Sequence, residues 1–420
     1  MTLLVVAWVD DTSRRNSLVS ASGAIFVAPF LIFSMIAGRV SDRVGKPGVI
    51  RATKFWELIV IAAAIASLLF ESIPWMMATL FLLSMQATFF SPAKYGVLPE
   101  MMQDSELPEA NAYLNLSTFV AILLGTLTAG FLSDKLGLAC IIMAIASLLG
   151  LAASFLMNPL PAAKPEESLG QKPAWLAAGM GFVMVFALLL EIHHRHLRGW
   201  ENVALFVSIL AMLGCFTVAN APDLIANWGL IKPDRLLKLG TIAVNYFWFM
   251  GALLQLNIFL YAKDMMDVSD KVASVMVMAV AVGVGAGSYL CGRLSAGKIR
   301  LDLVRLGALG MSLFAIDLYW AYQSPLRAFF DFFMMGAAAG FYDIPLMAMI
   351  QARSPVAERG RIMATINFFS FMAILLSSGV LWLLSNPLHH NPAQVFFTIG
   401  LLSLLSTSLV FLVHRRRSAA

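Results

Sequence analysis

The sequence GRVSDRVGK, residues 38–46, is a short polar stretch between two long apolar runs, and a shortened copy of it returns later in the chain. The copy is GRLSAGK, residues 292–298, and its first, second and fourth residues are the same as those of the first stretch, 254 positions further on. Apolar helices match one another easily by chance, but a polar match of this kind is not expected between them. The pair therefore predicts that the chain contains two related halves.

Other matches occur at nearly the same spacing and in the same order. They are STFVAILLG (117–125) with FSFMAILLS (369–377), Asn115 with Asn367, and Pro92 with Pro345. Two parallel repeats are the plan of many secondary transporters, in which the substrate binds between the repeats. We therefore expect a duplicated helical bundle.

The composition places the chain in a membrane. Hydrophobic residues make up 60% of the 420 residues, charged residues only 13%, and the mean hydropathy is +0.82. Soluble proteins contain about 25% charged residues. Many apolar runs exceed the ~18 residues that a helix needs to cross the hydrocarbon core, and the short alternating strands of a membrane barrel are missing. The fold class predicted is an all-α membrane protein.

Thirteen complete spans are predicted from the apolar runs. They lie near 19–38, 50–71, 75–92, 111–133, 137–157, 174–192, 202–221, 239–262, 272–291, 303–321, 327–350, 362–384 and 394–413. If the loop with Arg39, Arg43 and Lys46 is cytoplasmic, most basic residues fall on the cytoplasmic side, including the C-terminal tail. The net charge of +5 is therefore interpreted as an orientation signal, and nucleic acid is not expected as a partner.

The first half is one span short of the second. Residues 1–8 are apolar but would rise only about 12 Å as a helix, and VDDTSRRNS (9–17) is predicted to be a loop. We expect a fourteen-span parent whose first helix is truncated here. The predicted domains are an N-terminal half at 1–157, a linker with two inserted transmembrane helices at 158–238, and a C-terminal half at 239–420.

The polar stretch at 38–46 resembles the signature loop of the major facilitator superfamily. Gly38, Asp42, Arg43, Gly45 and Lys46 fall on its main positions, between the second and third spans, and the copy at 292–298 lies in the equivalent loop. The resemblance implies the major facilitator fold, with two six-helix halves and here two extra central helices. It also implies a charge relay of Asp42 and Arg43 that locks the two halves on the cytoplasmic side, with Gly38, Gly45, Lys46 and, in the copy, Arg293 as further gating residues. The alternative is that the loop is an orientation signal alone.

A narrower resemblance covers most of residues 19–384. KFWELIVIAAA (54–64), TFFSPAKYGVLPEM (88–101), ELPEANAYLNLSTFVAILLGT (106–126) and NYFWFMGALLQLN (245–257) are similar to the lysophospholipid transporter branch, especially the portion fused to acyltransferase and acyl-carrier-protein synthetase domains. This resemblance implies a bacterial inner-membrane transporter, not an enzyme, that moves lysophospholipids by alternating access. The implied partners are membrane lipids and a cytoplasmic acyltransferase, with no cofactor and no metal.

Two other functions remain open from the sequence. One is a fourteen-span drug–proton antiporter, although AILLGTLTAGFL (121–132) lacks the Gly-Pro-rich motif of that class. The other is a membrane scaffold that recruits an acyltransferase without transporting anything.

Polar and ionisable residues inside spans are the candidates for binding an amphiphile, because such residues are costly in a membrane. They are Gln86, Asn115, Gln255, Asn257, Asn367, Asp317 and Glu57. Gln255 is the strongest, since its helix lines the central cavity in the resembling family. Glu57 could instead only neutralise Lys54, three residues before it.

Four further expectations concern local structure. Pro92 is expected to kink or end its helix, which makes Lys94 a gate residue at the inner interface or a simple anchor. Asp317 has no obvious local partner, whereas Asp331 is expected to pair with Arg327. The glycines of VGVGAGS (282–288) predict close helix packing, and Cys140, Cys215 and Cys291 read as small core residues. A metal site at His193, His194 and His196 is disfavoured.

Overall fold

The computed structural model describes residues 12–132, 135–165, 220–268, 270–385 and 388–418, and within them the regular structure is helical. The first group of helices is α1 (Thr12–Val44), α2 (Lys46–Leu69), α3 (Ile73–Met101), α4 (Leu107–Phe131), α5 (Leu136–Ser154) and α6 (220–231). The second group is α7 (Arg235–Leu260), α8 (Asp270–Ser295), α9 (Leu301–Ala321), α10 (Pro325–Arg353), α11 (Arg359–Ser385) and α12 (Pro392–Ser418).

Each predicted span outside 166–219 overlaps one of these helices. Among the described residues, eight helical segments are long and apolar enough to cross a membrane: Ile25–Val44, Lys46–Leu69, Ile73–Met101, Leu136–Ser154, Arg235–Met265, Val272–Ser295, Pro325–Arg353 and Val356–Ser385. The predicted spans at 174–192 and 202–221, apart from residues 220 and 221, lie outside the described residues. So do the N-terminal stub at 1–8 and the three histidines.

Helix ends differ from the sequence prediction at two places. The loop expected at 9–17 is helical from Thr12 onward, because 12–22 contains no proline or glycine to stop α1. Of the kink or end expected at Pro92, the end is wrong, because α3 continues through Pro92 and Pro99 to Met101, and the kink remains a prediction. Proline removes one backbone hydrogen bond, and the packing of Ala93 and Val97 against Val49 and Ile50 of α2 keeps the helix intact.

The described helices form two compact units. The first contains α1, α2, α3, α5, α6 and the end of α4, together with Ser354–Phe371, which includes the start of α11. The second contains most of α4, then α7 to α10, the rest of α11 and α12. The predicted division into halves around 158–238 remains a prediction.

In the second unit, small residues bring α8 and α10 into backbone contact. A Cβ atom on Gly283 would lie 2.1 Å from the carbonyl oxygen of Phe333, and one on Gly287 would lie 2.0 Å from that of Ala337. The close packing predicted for VGVGAGS is therefore confirmed. Close approach through small residues is how membrane helices associate without a hydrophobic driving force.

Aromatic and aliphatic side chains fill the rest of this unit. Fully buried Tyr261 opens a π-helical turn, Tyr261–Met265, at the end of α7, and its hydroxyl donates to the carbonyl of Leu318 at 2.6 Å. Phe332 and Phe396 pack edge-on against its ring. Cys140 in the first unit and Cys291 in the second are buried free thiols, as expected.

Candidate functional site

Asp42 lies in the last turn of α1, and its carboxylate caps the start of α11. The side chain is fully buried, and it accepts hydrogen bonds from the backbone N–H groups of Gly360 at 2.8 Å and Arg361 at 3.0 Å. The first N–H groups of a helix have no partner inside the helix, and the helix dipole favours a negative charge there. Asp42 thus joins α1 and α11 within the first unit.

Lys46 supplies the compensating positive charge. It is buried at the start of α2, with its Nζ atom 3.6 Å from the Asp42 carboxylate, and it forms a salt bridge with Glu100 of α3. Gly96 makes room for it, since a Cβ there would lie 2.6 Å from Cε of Lys46. One buried cation is therefore shared by two carboxylates.

A second layer of polar contacts surrounds the start of α11. Arg361 pairs with Glu358 at 3.0 Å and donates from Nε to Asn227 of α6, also at 3.0 Å. Asn227 in turn donates to the hydroxyl of Thr365 at 3.1 Å. Two further ion pairs join this region, between Lys164 and Glu358 and between Arg39 and Asp223.

Arg43 lies on a helix rather than in a loop, and its part in a charge relay remains a prediction. Asp42 and Arg43 belong to α1 rather than to a loop, because the helix runs to Val44 and the chain turns at Gly45, with φ +87°. Arg43 points outward and is exposed, so among the described residues the basic neighbour of Asp42 is Lys46.

Gly38 permits the contact between α1 and α11. A Cβ at this position would lie 2.7 Å from the Cβ of Ala364 and 2.8 Å from the carbonyl oxygen of Gly360. In the copy, Gly292 of α8 meets Ala112 of α4 in the same way, at 2.5 Å. The two glycines of the repeated sequence thus pack against alanines that are themselves 252 positions apart.

The copy lacks the charged part of the site. Between Ser295 and Gly297 it has only Ala296, so no carboxylate corresponds to Asp42. Arg293 is exposed, with its guanidinium 5.7 Å from the centre of the Tyr289 ring. Close packing is therefore common to both copies, whereas the helix cap occurs in the first alone.

Glu57, Gln86 and Lys54 form a second polar cluster, between α2 and α3. The Glu57 carboxylate pairs with Lys54 at 2.8 Å and accepts a hydrogen bond from the Gln86 amide at 3.0 Å. The predicted Lys54–Glu57 ion pair is confirmed. Lys94, further along α3, is half-buried, with its ammonium group 5.4 Å from the Tyr95 ring centre.

In the second unit, two polar pairs connect α4 to α10. Asn115 donates to the carboxylate of Asp343 at 2.8 Å, and Asn111 and Gln351 exchange two amide hydrogen bonds, at 2.6 and 3.2 Å. Asn115 is among the residues predicted from the sequence, and the other three are not. Asp343 could have been found as the single charge in FYDIPLMAMIQ (341–351), the apolar stretch that contains Pro345.

The remaining candidates differ in whether their polar atoms are already engaged. Gln255 of α7 is exposed and has no side-chain hydrogen bond among the described residues. Asn257 is fully buried and donates to the carbonyl of Pro392 at 2.8 Å. Asn367 of α11 is half-buried, and its amide nitrogen has no partner within the described part of the chain.

Two predictions about charges near the start of α10 are wrong. Arg327 pairs with Asp317 of α9 through two hydrogen bonds, at 2.5 and 3.1 Å, rather than with Asp331. The short turn between α9 and α10 brings these two residues together. Sequence spacing along one helix does not predict such a pair, because its partners lie on two helices. Asp331 is buried, with Oδ2 unpartnered among the described residues.

Comparison with family models gives one match that covers most of the chain. The model described as Major Facilitator Superfamily matches residues 1–378.

Curated relatives of the chain include proteins named as transporters. A protein of Escherichia fergusonii named lysophospholipid transporter LplT is 25% identical over 362 residues, which is 85% of this chain and 77% of the relative. A protein of the same name from Pectobacterium carotovorum subsp. carotovorum is 25% identical over 360 residues, 84% of this chain and 75% of the relative.

Solved structures share the fold. The human organic anion transporter MFSD10 has a TM-score of 0.68 with 15% identity, over 97% of this chain and 87% of that one. The proton:xylose symporter XylE has a TM-score of 0.66 with 14% identity, over 96% and 87%. At these identities the likeness concerns the helical fold alone.

Proposed function

Because the chain belongs to the major facilitator superfamily, we propose that it is a secondary transporter that moves lysophospholipids to the cytoplasmic leaflet of a bacterial inner membrane. The observation that carries the substrate class is the similarity to lysophospholipid transporters along 85% of the chain. Reacylation by a separate cytoplasmic acyltransferase would consume the product. The C-terminus, with Arg415–Arg417, lies on the cytoplasmic side in this proposal.

The mechanism is alternating access, with the Asp42 cap as a reversible lock. Opening it breaks the two backbone hydrogen bonds that Asp42 accepts. The contacts of Arg361 with Asn227 and of Glu358 with Lys164 break as well if α11 moves away. Lys46 keeps Glu100 as a partner when Asp42 separates from α11. Gly38 supports this role, because it lets α1 and α11 close without side chains between them. Gly45 supplies the turn that directs Lys46 towards Asp42.

Gln255 is proposed as the first contact of the substrate headgroup, because it is the candidate whose donors and acceptor are not used within the described protein. Glu57, Gln86 and Lys94 would act at a second position along the path, where a carboxylate, an amide and an ammonium group suit a zwitterionic headgroup. Asn115, Asn257 and Asn367 are proposed to position helices near the path, and Asp317 to hold Arg327.

Uptake of labelled lysophosphatidylethanolamine tests the function. Spheroplasts without their own transporter should accumulate acylated product when they express this chain, and cells with an empty vector should not. Uptake at the vector level, with normal amounts of protein in the membrane, would rule out the proposal. Capture of an acyltransferase without uptake would indicate a scaffold, and drug resistance without uptake would indicate an antiporter.

A further inference from the structure

Asp343 is a carboxylate in an apolar helix that the proposed transport cycle has not used. It lies inside α10 and is only 7% exposed, between buried Tyr342 and Ile344. An ionisable side chain within a membrane-spanning helix is rare and generally functional, because the membrane makes its charge costly. Its presence therefore needs a chemical explanation.

The charge of Asp343 is compensated by one neutral amide. Asn115 of α4 donates to Oδ2 at 2.8 Å, and no ion pair involves Asp343 among the described residues. The next residue, Ile344, packs in an apolar cluster with Ala112, Cys291 and Leu303. A carboxylate with such surroundings can lose its charge by binding a proton.

Among the described residues, no basic side chain of a neighbouring helix forms an ion pair with Asp343. The buried thiol of Cys291 on α8 and the phenol of Tyr342 interact electrostatically with Asp343, and α7 contributes Tyr246 beside Tyr342. On α9, Asp302 is exposed and paired with Arg300 at 2.5 Å, and Arg305 is exposed.

The other titratable groups of α4 and α8 in this region point outward. Glu109 and Tyr113 of α4 are exposed and bonded to each other at 3.3 Å, and Arg293 of α8 is exposed beside Tyr289.

We propose that Asp343 is the proton-binding site of this transporter and that Asn115 senses its charge. The inference rests on the proposed transport function. The step is simple proton transfer: a hydronium ion on one side gives its proton to Oδ2 of Asp343, water is left, and the same proton later returns to water on the other side. No electrons move and no further reactant is needed.

The surroundings of Asp343 suit a proton better than a metal ion. Metal cations such as Ca²⁺ need six or more oxygen ligands, and within the described ranges no group of three His, Cys, Asp or Glu residues could hold a metal. Asn115 presents its N–H group, which a carboxylate or carbonyl oxygen accepts but a cation does not.

Protonation would loosen the connection between α4 and α10. A hydrogen bond to a charged carboxylate is roughly twice as strong as one between neutral groups. The second connection between the same helices, Asn111 with Gln351, consists of amides that do not titrate. Protonation of Asp343 therefore weakens the hydrogen bond with Asn115 and leaves the hydrogen bonds between Asn111 and Gln351 unchanged.

Proteoliposomes with the purified full chain test the proposal. One proton per substrate and a gradient of one pH unit should give up to about tenfold accumulation of lysophosphatidylethanolamine by the wild type. Asp343→Asn should show the same transport with and without the gradient. Asp302→Asn, a matched carboxylate outside the path, should respond as the wild type does. A D343N protein that still follows the pH gradient would overturn the proposal, as would accumulation driven by sodium alone.

A second measurement does not depend on the substrate. Infrared titration without lipid substrate protonates the other carboxylates of the chain as well. The difference between the wild-type and D343N spectra should therefore contain the carbonyl band of one additional carboxylic acid. If the wild type does not transport but shows the infrared band of Asp343, the proposed transport function is wrong and the proton-binding site is supported. Should D343N not fold, Asp343→Glu decides: its titration midpoint must differ from that of the wild type, and an identical midpoint would contradict the assignment.

Discussion

At Gly38 a single missing methyl group decides whether α1 and α11 can touch. Because an added Cβ would lie 2.7 Å from that of Ala364, Gly38→Ala should destabilise the folded protein by about 1–3 kcal/mol, the usual cost of overpacking. Gly251→Ala is the matched control, since nothing lies within 4 Å of a Cβ there. It should leave the stability unchanged or raise it by up to about 1 kcal/mol.

Thermal unfolding in detergent, followed by the loss of monodisperse protein, measures both glycine variants. Equal melting temperatures for G38A and G251A would show that α1 and α11 do not depend on this contact.

Gln255 is a residue whose effect should appear in binding rather than in stability. One hydrogen bond contributes about 0.5–1.5 kcal/mol, so Gln255→Ala should raise the KM for lysophosphatidylethanolamine by about twofold to tenfold. Gln103→Ala, in the exposed turn before α4, should leave KM as it is. A raised KM in both variants, or in neither, would remove Gln255 from the path of the substrate.

At the scale of helices, amide hydrogen bonds connect α4 to α10. Removing one of the two amides should lower the stability of the folded protein more than removing both. Asn111→Ala removes both buried amide hydrogen bonds that Asn111 exchanges with Gln351, which should cost about 1–3 kcal/mol. Asn111→Leu combined with Gln351→Met removes both partners while keeping the volume, so this double variant should be close to the wild type in stability. Denaturant unfolding checks both, and a double variant less stable than the single one would contradict the argument.

The sequence predicts helices well where apolar runs are long. It also singles out Gly38, Asp42 and Lys46, because they lie in one short stretch, and their role as a gate remains a prediction. It fails where partners come from different helices. Arg327 is four residues before Asp331 on the same helix, but it pairs with Asp317, which the turn before α10 places beside it. Asn111 and Gln351 are 240 residues apart, and no local pattern marks them as a pair.

Helix ends are the other source of error. Proline and polar residues suggest the end of a helix in the sequence, but tertiary packing can keep the helix intact. Pro92 reads as a stop signal, but α3 passes through it because Ala93 and Val97 are buried against α2. The polar residues Thr12 to Ser17 read as a loop and are helical, since polarity alone does not end a helix.

At the scale of the molecule, the repeat and the compact units describe different things. The predicted repeat divides the chain by sequence similarity, whereas the units follow contact between residues. The start of α11 groups with α1 to α3, where Asp42 and Gly38 contact it. The corresponding segment of the predicted first half, α4, groups with α7 to α10. In the first attachment the buried carboxylate of Asp42 caps the start of a helix, whereas in the second the buried carboxylate of Asp343 accepts a hydrogen bond from a side-chain amide. The charge of Asp42 therefore contributes directly to holding the start of α11.

Asp42→Asn should therefore free the start of α11. Asparagine keeps one acceptor oxygen but loses the charge that attracts the helix end and Lys46. A hydrogen bond to a charged group contributes about 1.5–3 kcal/mol, so the detached population should rise about tenfold or more.

Alkylation of a cysteine at buried Thr365 measures this change, in a chain whose own three cysteines are replaced by serine. The D42N background should react with a maleimide about ten times faster than the parent, by the same conversion. A cysteine at exposed Val44 is the control and should react equally in both. If Thr365→Cys stays as protected in D42N as in the parent, the cap on α11 is not what holds these helices together, and the lock must be sought among Arg361, Glu358 and Asn227 instead.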